Sequence, residues 1–258
     1  FLTKNLQTDP PQWHLVNGKC SGNKQSPVNI VTKNVVYEKS LKPLTFEGYD
    51  VKGSGQWLLE NNGHTGLPRK FKAVEFHLHW GVPEKPQNIP GSEHSIDGEK
   101  YPMELHVVHI REDASDVTDA KKNPGGLAVL AFFVKVGSEI FSYPPQISAS
   151  SLPKTLTSLS SAGILPEDLG KYYRYEGSLT TPDCYEGVIW TIFEKPLSRF
   201  AVLHFEKNSS SAMTENFRPA QPLNGRAVLW SGASIALPAA KLLLLPLALT
   251  CTLSSLSH

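Results

Sequence analysis

Two histidines placed two residues apart give the clearest chemical signal in the sequence. His77 and His79 lie in the apolar run 74–81, VEFHLHWG. In a β-strand, residues i and i+2 point to the same face, so both imidazoles would face one point while the apolar side chains between them pack behind. Taken alone, such a pair is more often part of a core or a surface than a metal site.

A second segment, MELHVV at 103–108, repeats the pattern with one carboxylate and one imidazole. Glu104 and His106 would share one face of a strand. If this strand lies beside the first, three neutral nitrogen donors converge, which is the ligand set of an open catalytic zinc site. Glu104 adds an acidic group of the kind that accepts the second N–H of a metal-bound histidine.

The composition limits the class of protein. The chain has 258 residues, with 25 basic and 24 acidic side chains and a net charge of +1. No concentrated basic segment is present, so nothing favours nucleic-acid binding. A chain of this length can form one β-rich domain.

Short apolar segments separated by Gly, Asn and Pro clusters predict a β-rich fold. The continuous apolar run at 127–136 predicts a strand buried on both faces. The connection 81–102 is long, proline-rich and expected to contain no regular element, which is typical of a functional loop. A helix is predicted over 197–203, and strands are predicted at 44–46, 56–60, 71–80, 104–110, 127–136, 172–177, 188–193 and 227–230.

The last 28 residues differ in character from the rest. Small residues at 231–234 precede a mixed spacer and an apolar tail that begins with LLLLPLAL at 242–249. This order is typical of a glycosylphosphatidylinositol (GPI) anchor signal, with Ser231 favoured as the attachment residue. The alternatives are a final core helix or a tail anchor. The sequon at Asn208 is consistent with an exported chain.

The three cysteines predict either one long-range disulfide with a leftover or three unrelated thiols. If the tail is an anchor signal, Cys251 leaves with it. Cys20 and Cys184 then remain as an even pair in an oxidising compartment.

Several long motifs together resemble the α-class carbonic anhydrases, in the order in which that family has them. The resemblance extends from about Trp13 to Arg226. The Cys20–Cys184 pair and the tail make the chain most similar to the GPI-anchored extracellular members. The motifs are QSPVNI at 25–30, FHLHWG at 76–81, GSEH at 91–94, ELHVVH at 104–109, GSLTTP at 177–182 and NFRPAQPL at 216–223.

The resemblance implies a mainly β (α+β) domain over 1–230, followed by an anchor signal over 231–258 that is removed. The domain would contain a central, mostly antiparallel twisted sheet of about ten strands, a few short peripheral helices, and Zn²⁺ at the base of a conical cleft. The implied activity is reversible hydration of carbon dioxide by attack of zinc-bound hydroxide, at the outer cell surface. A weak or silent binding domain of the same fold is the alternative, but silent relatives usually lose a zinc histidine.

The resemblance also assigns roles to individual residues. The zinc ligands would be His77, His79 and His106, with Glu75, Glu104 and the carbonyl of Asn216 behind them. Thr180 would orient the hydroxide and donate its proton to Glu93, and His64 would carry protons to solvent. The residues implied to contact carbon dioxide or bicarbonate are Val108, Val129, Leu179, Thr181, Val188 and Trp190.

Three features depart from the family pattern. Glu75 stands where the family usually has a glutamine, which should make the zinc site more anionic and weaken the binding of anionic inhibitors. The connection between His79 and Glu93 is a few residues longer than in many relatives. Residues 1–12 lack the aromatic segment that normally closes one side of the cleft.

Overall fold

The computed structural model describes residues 10–47, 58–60, 67–81, 90–135, 169–197 and 216–232. Its helices are short: α1 is Trp13–Val16 and α2 is Val117–Ala120, and 3₁₀ turns occur at Pro10–Gln12, Gly18–Ser21 and Thr32–Asn34. The strands are β1 Asn29–Ile30, β2 Val36–Tyr37, β3 Thr45–Glu47, β4 Leu58–Glu60, β5 Phe71–Trp80, β6 Ser95–Ile96, β7 Met103–Arg111, β8 Leu127–Val134, β9 Tyr172–Ser178, β10 Glu186–Leu197 and β11 Leu229–Trp230.

Nine of these strands form one sheet in the order β2-β11-β9-β10-β8-β7-β5-β4-β3. The pairs β10/β8 and β11/β2 are parallel, and the other pairs are antiparallel. β1 and β6 form a separate parallel pair. The predicted mainly β fold around a large, mostly antiparallel sheet is therefore confirmed.

The centre of the sheet is covered on both faces. Every residue of β8 is buried. Its side chains alternate between two apolar clusters: Leu130 and Phe132 belong to one, and Val129 and Phe133 to the other. The prediction of a doubly buried strand at 127–136 is correct for 127–134. We refer to the two clusters as the Leu130 face and the Val129 face.

A bulge at Val74 changes the phase of β5. Across the pair with β7, Ala73 lies opposite His109 and Glu75 lies opposite Val108, so Val74 has no partner of its own. Odd-numbered Phe71 packs on the Leu130 face, and after the bulge so do even-numbered residues of the strand. A bulge inserts one extra residue and so re-aims the side chains that follow. The odd-numbered histidines therefore point to the Val129 face.

The structure corrects two details of the sequence prediction. The connection 81–102, expected to lack regular structure, contains β6. The helix predicted over 197–203 is wrong at Leu197, which ends strand β10; the rest of that segment lies outside the described residues. Within the described part of the chain, no helix has the length and apolar character needed to cross a bilayer.

Candidate metal centre

Strand pairing places the predicted ligands together. In the antiparallel pair of β5 and β7, His77 lies opposite His106 and His79 lies opposite Glu104. Directly opposite residues in such a pair project to the same face at close range. The candidate ligand atoms of His77, His79 and His106 all lie within 4.8 Å of one another.

Hydrogen bonds on the outer side of each ring determine which nitrogen faces inward. His79 donates from Nδ1 to the carbonyl of Asn216 at 2.7 Å, and His106 donates from Nε2 to Glu104 Oε1 at 2.6 Å. His77 donates from Nδ1 to Glu75 Oε1 at 3.0 Å. Carbonyl and carboxylate oxygens only accept here, so each ring proton is on the outer nitrogen. The unprotonated nitrogens therefore turn their lone pairs toward one centre. They are Nε2 of His77, Nε2 of His79 and Nδ1 of His106.

This donor set fits a tetrahedral metal ion. Nε2 of His79 and Nδ1 of His106 are 3.1 Å apart. Two unprotonated nitrogens at that distance repel each other unless a cation lies between them. Zn–N bonds of about 2.0–2.1 Å in tetrahedral geometry place two ligand nitrogens about 3.3 Å apart. Neutral imidazoles around one shared point are the donors that zinc prefers.

Burial keeps the two inner histidines in the ligand form. His79 and His106 are 3% and 1% exposed. Burial and the neighbouring His106 hold the pKa of His79 well below its ordinary value. Burial also lowers the pKa of His106 to about 4, although Glu104 opposes the shift. Both rings are therefore neutral at pH 7.

Glu104 is a fully buried carboxylate that serves two histidines. Its Oε1 atom accepts from His106 and from Nδ1 of His94, both at 2.6 Å, and its Oε2 atom accepts from the backbone N–H of His94 at 2.8 Å. Burial alone would raise its pKa, but His94 and His106 hold the pKa well below the ordinary value. Glu104 is an ionised acceptor that fixes the orientation of His106.

Glu93 lies on the other side of the histidines. Its Oε1 atom accepts from the backbone N–H of Arg218 at 2.7 Å and lies 3.4 Å from Nδ1 of His79. Burial, and then Glu104, raise the pKa of Glu93 well above its ordinary value, whereas the neighbouring Thr180 hydroxyl and the Arg218 N–H lower it. A dication nearby would favour the carboxylate form.

The apolar residues singled out from the sequence lie on the Val129 face, next to His106. Val108, Val129, Val188 and Trp190 are buried in one cluster, and Leu179 packs against it. The Trp190 ring lies 4.9 Å from the ring of His106. Thr181, next to Thr180, is half-buried.

The Cys20–Cys184 disulfide is present and connects the N-terminal segment to the loop that carries Thr180. The N–H of Cys184 donates to the carbonyl of Thr181 at 2.8 Å. The carbonyl of Cys20 accepts from Nη2 of Arg218 at 2.9 Å. The disulfide is thus one hydrogen bond away from Thr181 and, through Arg218, two hydrogen bonds away from Glu93.

Sequence reasoning gave no role to His94, Tyr175 or the Arg218 side chain, all buried beside the site. His94 directly follows Glu93, and Arg218 lies two residues after Asn216, so both stand inside segments already singled out. Nothing in the sequence pointed to Tyr175, because its strand, β9, carries none of the candidate metal ligands. His64 and Asn208 lie outside the described residues.

Ser231 is part of the folded domain. Its N–H donates to the carbonyl of Tyr172 at 3.1 Å, and its hydroxyl lies 2.8 Å from the carbonyl of Gly170. The hydroxyl also accepts from the N–H of Tyr172 at 2.9 Å. The segment that follows Gly232 lies outside the described residues.

Comparison with known proteins gives a consistent result over nearly the whole chain. The chain is 39% identical to carbonic anhydrase 4 of Rattus norvegicus, with 96% of this chain and 88% of the relative aligned. It is 35% identical to carbonic anhydrase 15 of Mus musculus (88% and 81%) and 34% identical to carbonic anhydrase 12 of Homo sapiens (86% and 71%). The sequence model of the eukaryotic-type carbonic anhydrases matches residues 8–232. The chain therefore belongs to the eukaryotic-type carbonic anhydrase family.

Proposed function

We propose that the protein hydrates carbon dioxide reversibly to bicarbonate and a proton, using zinc held by His77, His79 and His106. One observation supports this most directly. The unprotonated nitrogens Nε2 of His79 and Nδ1 of His106 lie only 3.1 Å apart on two buried, neutral rings. Zinc lowers the pKa of a bound water to about 7, a general property for which carbonic anhydrase itself is the usual example.

The protein's own groups would orient the attacking oxygen. We assign the proton of the Thr180 hydroxyl to Glu93, whose Oε2 atom is buried without a hydrogen-bond partner among the described residues. The Thr180 oxygen is then left as an acceptor. An attacking O–H group would donate its proton to this oxygen, and its lone pair would then face the substrate. The backbone N–H of Arg218 holds Glu93 in place from the other side.

The buried apolar cluster suits a small apolar substrate. Val108, Val129, Val188 and Trp190 expose almost nothing to solvent and present no charge beside His106. We assign carbon dioxide to this wall, with Leu179 at its margin and Thr181 placed to contact bicarbonate. Carbon dioxide needs only dry walls and an oriented nucleophile, because it has no charge to neutralise.

The decisive test combines metal content with stopped-flow hydration of carbon dioxide by the full chain. We expect about one zinc per chain and rapid hydration. His106→Ala should lose both, whereas His109→Gln, a change on the opposite face of the same strand, should keep both. Full zinc occupancy without hydration would contradict the proposal.

The proton shuttle is a separate part of the proposal. An imidazole that titrates near neutral pH can pass a proton in either direction. We therefore expect His64→Ala to slow hydration in dilute buffer and to regain the rate when imidazole buffer is added. A variant that is equally fast in dilute buffer would remove His64 from the mechanism.

We further propose that residues 1–230 form the catalytic domain and that 231–258 are exchanged for a lipid anchor at Ser231, which places the enzyme on the outer cell surface. Phosphatidylinositol-specific phospholipase C should release the activity from intact cells, and peptide N-glycosidase should reduce the mass of the released protein at Asn208. Activity that stays on cells whose other GPI proteins are released would contradict the anchor.

A further inference from the structure

A series of buried polar side chains extends from His106 to strand β9. His106 and His94 both contact Glu104 Oε1 at 2.6 Å. Nε2 of His94 lies 2.7 Å from the Tyr175 hydroxyl, which lies 2.8 Å from Oγ of Ser26. All five side chains are at most 2% exposed. No water can take part in contacts this deep without its own cavity, so the side chains must satisfy one another.

The protons of this series can be assigned by counting donors and acceptors. Nδ1 of His94 faces an ionised carboxylate and must therefore carry a proton. Oγ of Ser26 accepts the backbone N–H of Ser178 at 3.0 Å. Hydroxyl protons rotate freely, so the hydroxyls of Ser26 and Tyr175 can be oriented in two senses.

One orientation satisfies every group. If Ser26 donates to Tyr175, the single proton of Tyr175 is directed to Nε2 of His94, and His94 is neutral. If instead Tyr175 donates to Ser26, His94 must carry a second proton, and the Ser26 hydroxyl has no acceptor among the described contacts. That state adds an orphaned donor and a buried charge, each of which is costly.

We propose that the Tyr175 hydroxyl donates to Nε2 of His94 and thereby holds the ring with its proton on Nδ1, so that Glu104 and His106 keep the orientation that turns Nδ1 of His106 toward the metal. Tyr175 and His94 are positioning residues, since neither touches the metal centre directly. The inference builds on the zinc site of the proposed function.

The packing around the series supports a fixed geometry. The ring of Tyr175 stacks on Trp190 with an interplanar angle of 8°, and His94 packs edge-on to the same indole at 4.9 Å. Nε1 of Trp190 donates to the carbonyl of Ser178 at 2.9 Å. Removing the hydroxyl alone would therefore leave the rings in place and change only the hydrogen bonds.

The first test reads the His94 tautomer in metal-free, ¹⁵N-histidine-labelled protein, with the His94 signals assigned by His94→Gln. We expect a protonated Nδ1 and an unprotonated, hydrogen-bonded Nε2 in the wild type. In Tyr175→Phe the Nε2 signal should move to that of a nitrogen without a donor. A protonated Nε2 in the wild type would overturn the proposal.

The second test measures the rate of zinc loss to a chelator. Partners behind a metal ligand typically change affinity by about 10–100-fold, and since Tyr175 acts through two groups we expect zinc loss about three- to tenfold faster in Tyr175→Phe. Tyr172→Phe is the matched control, because it removes a hydroxyl bond to the carbonyl of Lys42 from the same strand. Equal acceleration in both variants would mean general loosening and would overturn the proposal.

A third variant approaches the series from its far end. Ser26→Ala removes the donor to Tyr175 but leaves the Tyr175 hydroxyl donating to Nε2 of His94, so zinc loss should accelerate less than in Tyr175→Phe and Nε2 should stay unprotonated and hydrogen-bonded. An Nε2 that is protonated in the wild type and loses its proton in Ser26→Ala would contradict the assigned orientation. If the wild type binds no zinc, the proposed function fails, but the tautomer measurement still decides this inference.

Discussion

At the scale of single residues, the acceptor behind each histidine distinguishes the three candidate ligands. His79 uses a neutral carbonyl, His106 a buried carboxylate, and His77 a carboxylate that is 38% exposed. A hydrogen bond from His77 lowers the pKa of Glu75, although burial opposes the shift, so Glu75 is ionised at pH 7. The exposed side of the centre therefore carries a negative charge.

Glu75→Gln should remove this charge and leave the hydrogen bond in place. We expect inorganic anions such as iodide to inhibit more strongly, because the site becomes more positive, and zinc to dissociate up to about tenfold faster. Inhibition constants and chelator kinetics measure the two effects. Glu99→Gln, an exposed carboxylate on a turn, is the control; equal inhibition constants in wild type and Glu75→Gln would contradict the assigned role.

His109 links stability to pH. It is fully buried, and this burial lowers its pKa to about 4 from 6.5. The unfolded chain then binds a proton that the folded chain does not, so stability falls as the pH drops from 6.5 toward 4. Between pH 7 and pH 5 this loss amounts to about 2 kcal/mol.

Urea unfolding of metal-free protein at both pH values checks this effect. His109→Gln keeps a neutral donor and cannot titrate, so it should lose about 2 kcal/mol less than the wild type over the same interval. The comparison of slopes cancels the contribution of the other histidines, which both proteins share. Parallel slopes would show that His109 does not titrate in this range.

At the scale of secondary structure, β9 has little space where it passes the site. A Cβ atom on Gly177 would collide with Oγ of Ser26 and lie 2.7 Å from the Tyr175 ring. Both neighbours are buried and hydrogen-bonded, so they cannot move aside without losing a partner. Gly177 is required for the close approach of β9 to the Ser26 segment.

Gly177→Ala should therefore lower the free energy of unfolding by about 1–3 kcal/mol, the usual cost of overpacking. Gly18→Ala is the control, since nothing lies within 4 Å of the position that its added methyl group would take. Denaturant titrations measure both. A Gly177 variant as stable as the control would mean that the Ser26 segment shifts freely.

The long strands were predictable because their side chains repeat regularly. Strand β5 occupies the predicted range, and β8 was recognised from its continuous apolar run. Strand β10 was predicted over 188–193 from its apolar run, and Pro196, which cannot donate to a neighbouring strand, lies beyond that range. In the structure the strand continues to Leu197 through a register shift between Phe193 and Leu197, which accommodates the proline.

The candidate ligand set could also be predicted from the sequence, because His77 with His79, and Glu104 with His106, follow the two-residue period of strands. The Tyr175 and His94 contacts could not, since they depend on the order in which distant strands pair. The bulge at Val74 was not predicted either. The alternation over 76–80 shows which face the histidines take, but it does not show that Phe71, five residues before Phe76, lies on the same face as Phe76.

At the scale of the whole molecule, the disulfide joins segments 164 residues apart in sequence. Closing so long a loop restricts the unfolded chain strongly, and native disulfides typically contribute about 2–5 kcal/mol. The backbone N–H of Cys184 donates to the carbonyl of Thr181, so the disulfide anchors the loop that carries Thr180, and loss of the disulfide should loosen that loop.

Replacing Cys20 and Cys184 with alanine should lower the urea midpoint and also the hydration rate, whereas Cys251→Ser should change neither. Unfolding curves and stopped-flow rates measure the two effects on the same samples. A stable double variant with an unchanged rate would show that the loop keeps its shape without the disulfide.

Ser231 has a mechanical consequence for the proposed anchored enzyme. Its backbone and hydroxyl are bonded to Gly170 and Tyr172, directly at the start of β9. A GPI anchor attached there would begin directly at the sheet, with no stretch of polypeptide between. A force on the anchor would then act directly on β9, the strand that carries Tyr175.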